Sequence, residues 1–142
     1  NGIIGVNVMA VMNNYIEHVK TAIEAGADLI ISGAGLPLNL PDITKDSSIK
    51  IAPIVSSEKA TRIILSYWKK HFNRTADAVI VEGPLAGGHL GFKKDKLDEE
   101  IISFDKIHPS VTVNSFALLR LHGDKIYTLI LYHFLFHLSS AF

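Results

Sequence analysis

The chain has 142 residues, enough for one domain, and balances 14 Lys and Arg against 14 Asp and Glu, so its formal net charge is zero. That balance argues against a nucleic-acid partner, which needs a basic face. The absence of cysteine excludes a disulfide scaffold, a thiolate nucleophile and any Cys-ligated metal, while 48% hydrophobic and 20% charged residues describe a globular chain.

Residues 3–8 (IIGVNV) are a nearly continuous apolar run, which suits a strand buried on both faces. Over residues 12–25, Tyr15, Val19, Ala22 and Ile23 recur at helical spacing, with Glu17, Lys20 and Glu24 on the other side. Asn13 or Asn14 can cap this helix and Gly26 can end it. Leu29, Ile30 and Ile31 read as a second buried strand, closing on Ser32-Gly33-Ala34-Gly35. Residues 36–50 hold two prolines and several Asp and Ser residues, and read mostly as loop. Residues 51–55 (IAPIV) are a third strand, weakened by Pro53, which cannot donate to a ladder. Ser56-Ser57 then caps a helix over residues 58–72, with Ala60, Ile63, Ile64, Tyr67 and Trp68 as its apolar stripe. Residues 78–81 (AVIV) form a fourth strand that runs into Glu82 and a glycine-rich stretch.

A weak internal repeat supports this parsing. ADLIISG at residues 27–33 resembles ADAVIVEG at residues 76–83. Strand starts near residues 3, 29, 51 and 78 are about 25 apart, the length of one βα unit. Parallel strands with right-handed crossovers follow. Four such units make half of a (β/α)8 TIM barrel, and a four-stranded doubly wound sheet is the competing α/β architecture.

In both architectures a ligand lies at the carboxyl ends of the strands. Those ends are Asn7, residues 32–35, Ser56-Ser57 and residues 82–91, all polar or glycine-rich. Strand-to-helix turns use Gly and Ser anyway, so the second and third ends are equally well read as ordinary turns. The fourth is denser: Gly83, Gly87, Gly88 and Gly91 surround His89. Glycines permit close backbone approach to a ligand, and a loop histidine can serve as acid, base or hydrogen-bond donor. No Lys-Ser/Thr pair follows Gly88, so this is not a nucleoside-triphosphate loop. His133 and His137 are four apart but lack a third ligand, so no metal is expected. Lys93, Lys94 and Lys96 read as a solvated loop.

The runs GIIGVNVM, EAGADLIISGAGLP, IAPIVSS and DAVIVEGPLAGGHLGF resemble the nitronate monooxygenase family, formerly 2-nitropropane dioxygenase, which is close to the flavin-dependent enoyl-ACP reductases. The likeness covers residues 2–106, and AGGHxG is its hallmark. It implies an FMN-containing (β/α)8 barrel more than twice this length, a flavoprotein oxidoreductase. Such enzymes oxidise alkyl nitronates with dioxygen, or reduce enoyl thioesters or quinones with NAD(P)H. By position, the resemblance implies that Asn7 contacts FMN, that Gly87 and Gly88 let the backbone approach it, and that His89 beside it is the catalytic base or substrate hydrogen-bond donor. Glu82 stands where many members have a flavin-contacting Gln, and Leu85 where an acid is common.

Near Pro109 the composition breaks. Residues 1–108 hold 13 of the 14 acids, while residues 109–142 hold only Asp124, with six of the twelve aromatics and three of the seven histidines. The expectation is therefore a partial flavin-binding barrel at 1–108 and an atypical apolar tail at 109–142, outside the family pattern. Within the tail, residues 126–138 are apolar but too short to span a bilayer, so a buried helix or strand is expected and no membrane partner. With no signal peptide, the composition predicts a cytoplasmic protein acting on a small molecule. The other reading is an inactive half-barrel fragment, whose open sheet edges could pair two copies into a homodimer.

Overall fold

The computed structural model describes residues 2–83, 116–122 and 125–131. Its elements are β1 (Gly5–Met9), α1 (Tyr15–Glu24), β2 (Leu29–Gly33), α2 (Leu40–Ile43), β3 (Lys50–Val55), α3 (Glu58–Phe72), β4 (Ala78–Glu82), β5 (Phe116–His122) and β6 (Lys125–Leu131). The sheet runs β1-β2-β3-β4-β5-β6. The first four strands are mutually parallel, and β5 and β6 join antiparallel.

Strand alternation decides between the two expected architectures. Val8, Ile30, Ile51, Val55, Val79 and Val81 share one core cluster with Tyr15, Val19 and Ala22 of α1, Leu40 of α2, and Ile64 and Trp68 of α3. Because side chains alternate between faces, the helices all cover the same side of the sheet. A doubly wound sheet would carry helices on both sides and reverse its strand order. Here the order is sequential and the described helices lie on one side only, as in part of a barrel wall; on the other face Asn7 and Met9 are exposed, while Ala52, Ala78, Ile80 and Glu82 are buried.

The core dominates the energetics. Val19, Ile30, Leu40, Ile51, Ile64 and Trp68 are completely buried, each aliphatic contributing about 1.5–3 kcal/mol. An exposed pair such as Arg62–Glu58 adds only about 0.3–0.5 kcal/mol. Trp68 also donates from Nε1 to the Pro37 carbonyl at 3.1 Å, which ties α3 to the β2–α2 connection.

Helix ends follow local chemistry. α1 stops in a Schellman turn: Gly26 at φ 82° donates to Ile23 O, and Ala27 to Ala22 O. Its start differs from expectation, since Asn14 holds the cap position without a side-chain cap bond. In α3 the expected cap is Ser57, whose Oγ accepts from Ala60 N, and left-handed Asn73 ends the helix. The stretch expected to be loop contains α2, one short turn begun with Pro41 in its first turn, where a missing N–H costs nothing.

Pro53 sits inside β3 without breaking the sheet. The β2–β3 pairing ends at Ser32↔Pro53 and the β3–β4 pairing begins at Ile54↔Ile80. The proline thus stands where the ladder changes partner.

The internal repeat has a structural cause. Asp28 accepts from Ile4 N through Oδ2 at 2.9 Å and donates its own N–H to Ile4 O. Asp77 does the same with Ile51, at 2.9 Å, and also pairs with Arg74 at 2.8 Å. Each Ala-Asp step therefore clamps the amino end of the strand beside it.

Part of the tail region is strand. β5 pairs with β4 from Ala78↔Arg120 to Glu82↔Phe116, and β6 pairs with β5. Within the apolar run at 126–138, residues 126–131 belong to β6. Among the described residues no helix is long and apolar enough to cross a membrane.

Candidate functional site

The carboxyl ends of β1 to β4 lie along one rim of the sheet. Parallel pairing puts them there; β2, β3 and β4 stop where the sequence turns to glycine, serine or glutamate, whereas β1 runs from Met9 into the apolar residues 10–12. On the face away from the helices the register forms rows. Met9 pairs with Gly33, and Ile54 pairs with Ile80, with Gly33 packed against Ile54. One row lower come Asn7 and Ile31, which pair, and Ala52 opposite Ile31.

Asn7 and Glu82 both fall on this face by alternation. They are not neighbours. β2 and β3 stand between their strands, a separation of three strand spacings or about 14 Å along the sheet. Glu82 also lies above the row of Met9, whereas Asn7 lies below it. Asn7 is exposed and Glu82 is buried at 8% exposure. Gly87, Gly88 and His89 lie outside the described residues, as do His133 and His137.

The turn after β2 is shaped by backbone constraints. Ala34 has φ 52° and Gly35 φ 133°, both in the left-handed half of conformational space. A Cβ built on Gly33 would lie 2.8 Å from Ile54 Cβ, so only glycine fits between β2 and β3 at this level. The rim is apolar where it meets solvent: Met9 at the end of β1, and Val11, Met12 and Leu36 in the turns that follow β1 and β2, are all exposed.

Beneath the rim runs a buried polar chain. Tyr15 Oη lies 2.9 Å from Ser32 Oγ, which donates to the Val8 carbonyl at 3.0 Å. Burial pushes the Tyr15 hydroxyl pKa above its usual value, and the bond to Ser32 offsets part of that. Sequence reasoning missed this chain, reading Tyr15 only as a stripe residue. No local signal could have revealed it, because its members are 17 and 24 residues apart.

The Asn7 carboxamide both donates and accepts, the Glu82 carboxylate accepts when ionised, and Met9 offers a polarisable apolar surface. Among the described residues no group of three His, Cys, Asp or Glu could hold a metal ion. A separate groove of about 260 Å³, lined by residues including Pro41, Lys45, Phe72 and Arg74, lies between α2 and the end of α3, away from the strand carboxyl ends.

The nitronate monooxygenase family profile matches residues 3–113. A solved structure of a FabK mutant from Thermotoga maritima is similar at TM-score 0.57 and 28% identity, over 80% of this chain and 34% of that one. The chain thus spans about a third of the length of that protein. Comparison with curated proteins gave no match.

Proposed function

The chain belongs to the nitronate monooxygenase family of FMN-dependent oxidoreductases, and from that premise we propose that it binds FMN at the carboxyl ends of β1 to β4 and oxidises alkyl nitronates with dioxygen. The observation that supports the reading is that four parallel strands end along one rim, with Asn7, Met9, Gly33 and Glu82 on the sheet face away from the helices.

FMN, when bound, supplies the two-electron redox chemistry that no side chain here can provide. The chain's own residues then bind and orient. Asn7 hydrogen-bonds the polar edge of the ring, and Glu82 accepts an N–H from it. Gly87 and Gly88 let the backbone come close. His89 holds or takes a proton on an imidazole nitrogen facing the substrate. Met9, Val11 and Leu36 keep water off the ring. Reduction of an enoyl thioester or a quinone by NAD(P)H uses the same arrangement with another substrate.

A second reading has its own support. The antiparallel β5–β6 pair lies along the edge of β4 where a further parallel strand would extend a barrel wall. That antiparallel pair, which lies beyond the family match at residues 3–113, favours an inactive open half-barrel. In that case the outer edge of β1 pairs with a second copy, and sedimentation velocity would show a dimer.

The visible spectrum of the purified protein separates the two readings. Flavin absorbance, or saturable uptake of added FMN, supports the oxidoreductase. A colourless protein that ignores added FMN supports the half-barrel. Given bound flavin, His89→Ala should cut nitronate turnover about 100-fold or more and leave the flavin in place. Unchanged turnover removes His89 from the mechanism.

A further inference from the structure

We infer that Tyr15 is a positioning residue: through Ser32 it sets the carboxyl end of β1, and with it the flavin-side residues Asn7 and Met9. The inference rests on the flavin reading above.

Tyr15 opens α1 at 5% exposure, and Ser32 in β2 is fully buried. A serine hydroxyl carries one proton. Ser32 gives that proton to the Val8 carbonyl, so its oxygen accepts from Tyr15. The chain therefore has one direction, from α1 through β2 to β1. Burial favours the neutral hydroxyl of Tyr15 and keeps its proton available for this bond.

Val8 stands between Asn7 and Met9 in β1, with its own side chain on the helix face. The peptide plane held by Ser32 thus belongs to the backbone that aims both open-face residues. Two further contacts lock the same region. Ala10 N donates to Gly33 O at 2.7 Å. A Cβ on Gly35 would sit 3.3 Å from Val11 Cγ1 and 3.6 Å from Ala10 Cβ, so the turn after β2 fits closely on the turn after β1. The ring of Tyr15 alone would fill the core. Its hydroxyl adds a directional link, and buried polar links specify one geometry more sharply than apolar contact does.

The test compares the full chain with Tyr15→Phe, which keeps the ring. FMN affinity is read by quenching of flavin fluorescence, and the bound state by visible circular dichroism at saturation. Tyr15→Phe should raise the FMN Kd about 3–10-fold, the range of one net buried hydrogen bond, and alter the bound-flavin spectrum. Amide exchange at residues 8–10 should quicken while that of α3 stays unchanged. Ser32→Ala should reproduce these effects, and the double variant should be little worse than either single one. A lower melting temperature with unchanged Kd, spectrum and exchange at residues 8–10 would overturn the inference, as would additive effects of the two substitutions. If the unsubstituted protein binds no FMN, the flavin reading fails by itself. The exchange arm then decides the tether: faster exchange at residues 8–10 in Tyr15→Phe upholds it, and equal exchange overturns it.

Discussion

Gly33→Ala offers the sharpest test of the sheet geometry at the rim. The added Cβ would lie 2.8 Å from Ile54 Cβ, 3.0 Å from Cδ1 and 3.2 Å from Cγ1. Optimal carbon contacts are about 3.5–4.0 Å, so the shortfall is close to 1 Å. Ile54 Cβ is fixed to its backbone and cannot rotate away, so β2 and β3 must separate. Overpacking of this kind costs about 1–3 kcal/mol, and the reduced entropy of the unfolded chain returns about 0.4–1 kcal/mol. The net loss is about 1–2 kcal/mol, or roughly 3–6 °C in Tm for a chain of this size. Gly5→Ala is the control on the same face, because its Cβ would meet Leu29 at an ordinary 3.6 Å. It should leave Tm unchanged or raise it slightly. Ile54→Val should fail to rescue Gly33→Ala, since the closest contact is to Cβ. Thermal melts followed by far-UV circular dichroism measure all three. Equal stability of Gly33→Ala and Gly5→Ala would refute the close approach of β2 and β3.

Two further outcomes follow from the buried polar contacts. Asp77→Ala should cost more stability than Asp28→Ala, because Asp77 holds Ile51 N, Arg74 and Lys50 in a part-buried setting while Asp28 holds Ile4 N at an exposed one. Urea titrations of both variants measure this, and equal losses would contradict the clamp. Tyr15 keeps its proton more tightly folded than unfolded, so its contribution is intact below the usual value of 10.0 and fades as pH rises above it. Tyr15→Phe should therefore flatten the alkaline loss of stability above about pH 10, read as Tm against pH, and an identical slope in both proteins would rule this out.

The parts of this fold that were legible were those set by periodicity. Strands at residues 29, 51 and 78 and the helix over residues 58–72 have strong apolar patterns, and they lie where expected. β1 begins at Gly5 rather than at Ile3, because Ile3 and Ile4 are exposed and only Ile4 is held, by Asp28. α2 escaped because one turn of helix rests on tertiary contacts, chiefly the burial of Leu40, rather than on its own propensity. The pairing of β5 with β4 was not legible either, since an apolar run is equally suited to helix or strand until a long-range partner selects one. At the candidate site, Asn7 and Glu82 were singled out from the ends of strands and the family resemblance. Met9 and Ile54 were not singled out, although simple alternation from Asn7 and Ala52 places both on the face away from the helices.

The central claim is that the rim of the four parallel strands holds FMN, and a fluorescence titration of FMN with the purified chain tests it most directly. The account predicts saturable quenching that Asn7→Ala and Glu82→Ala each weaken about tenfold, as loss of a hydrogen bond to a polar ring edge should. Flat titration curves, or quenching that neither substitution changes, would contradict it.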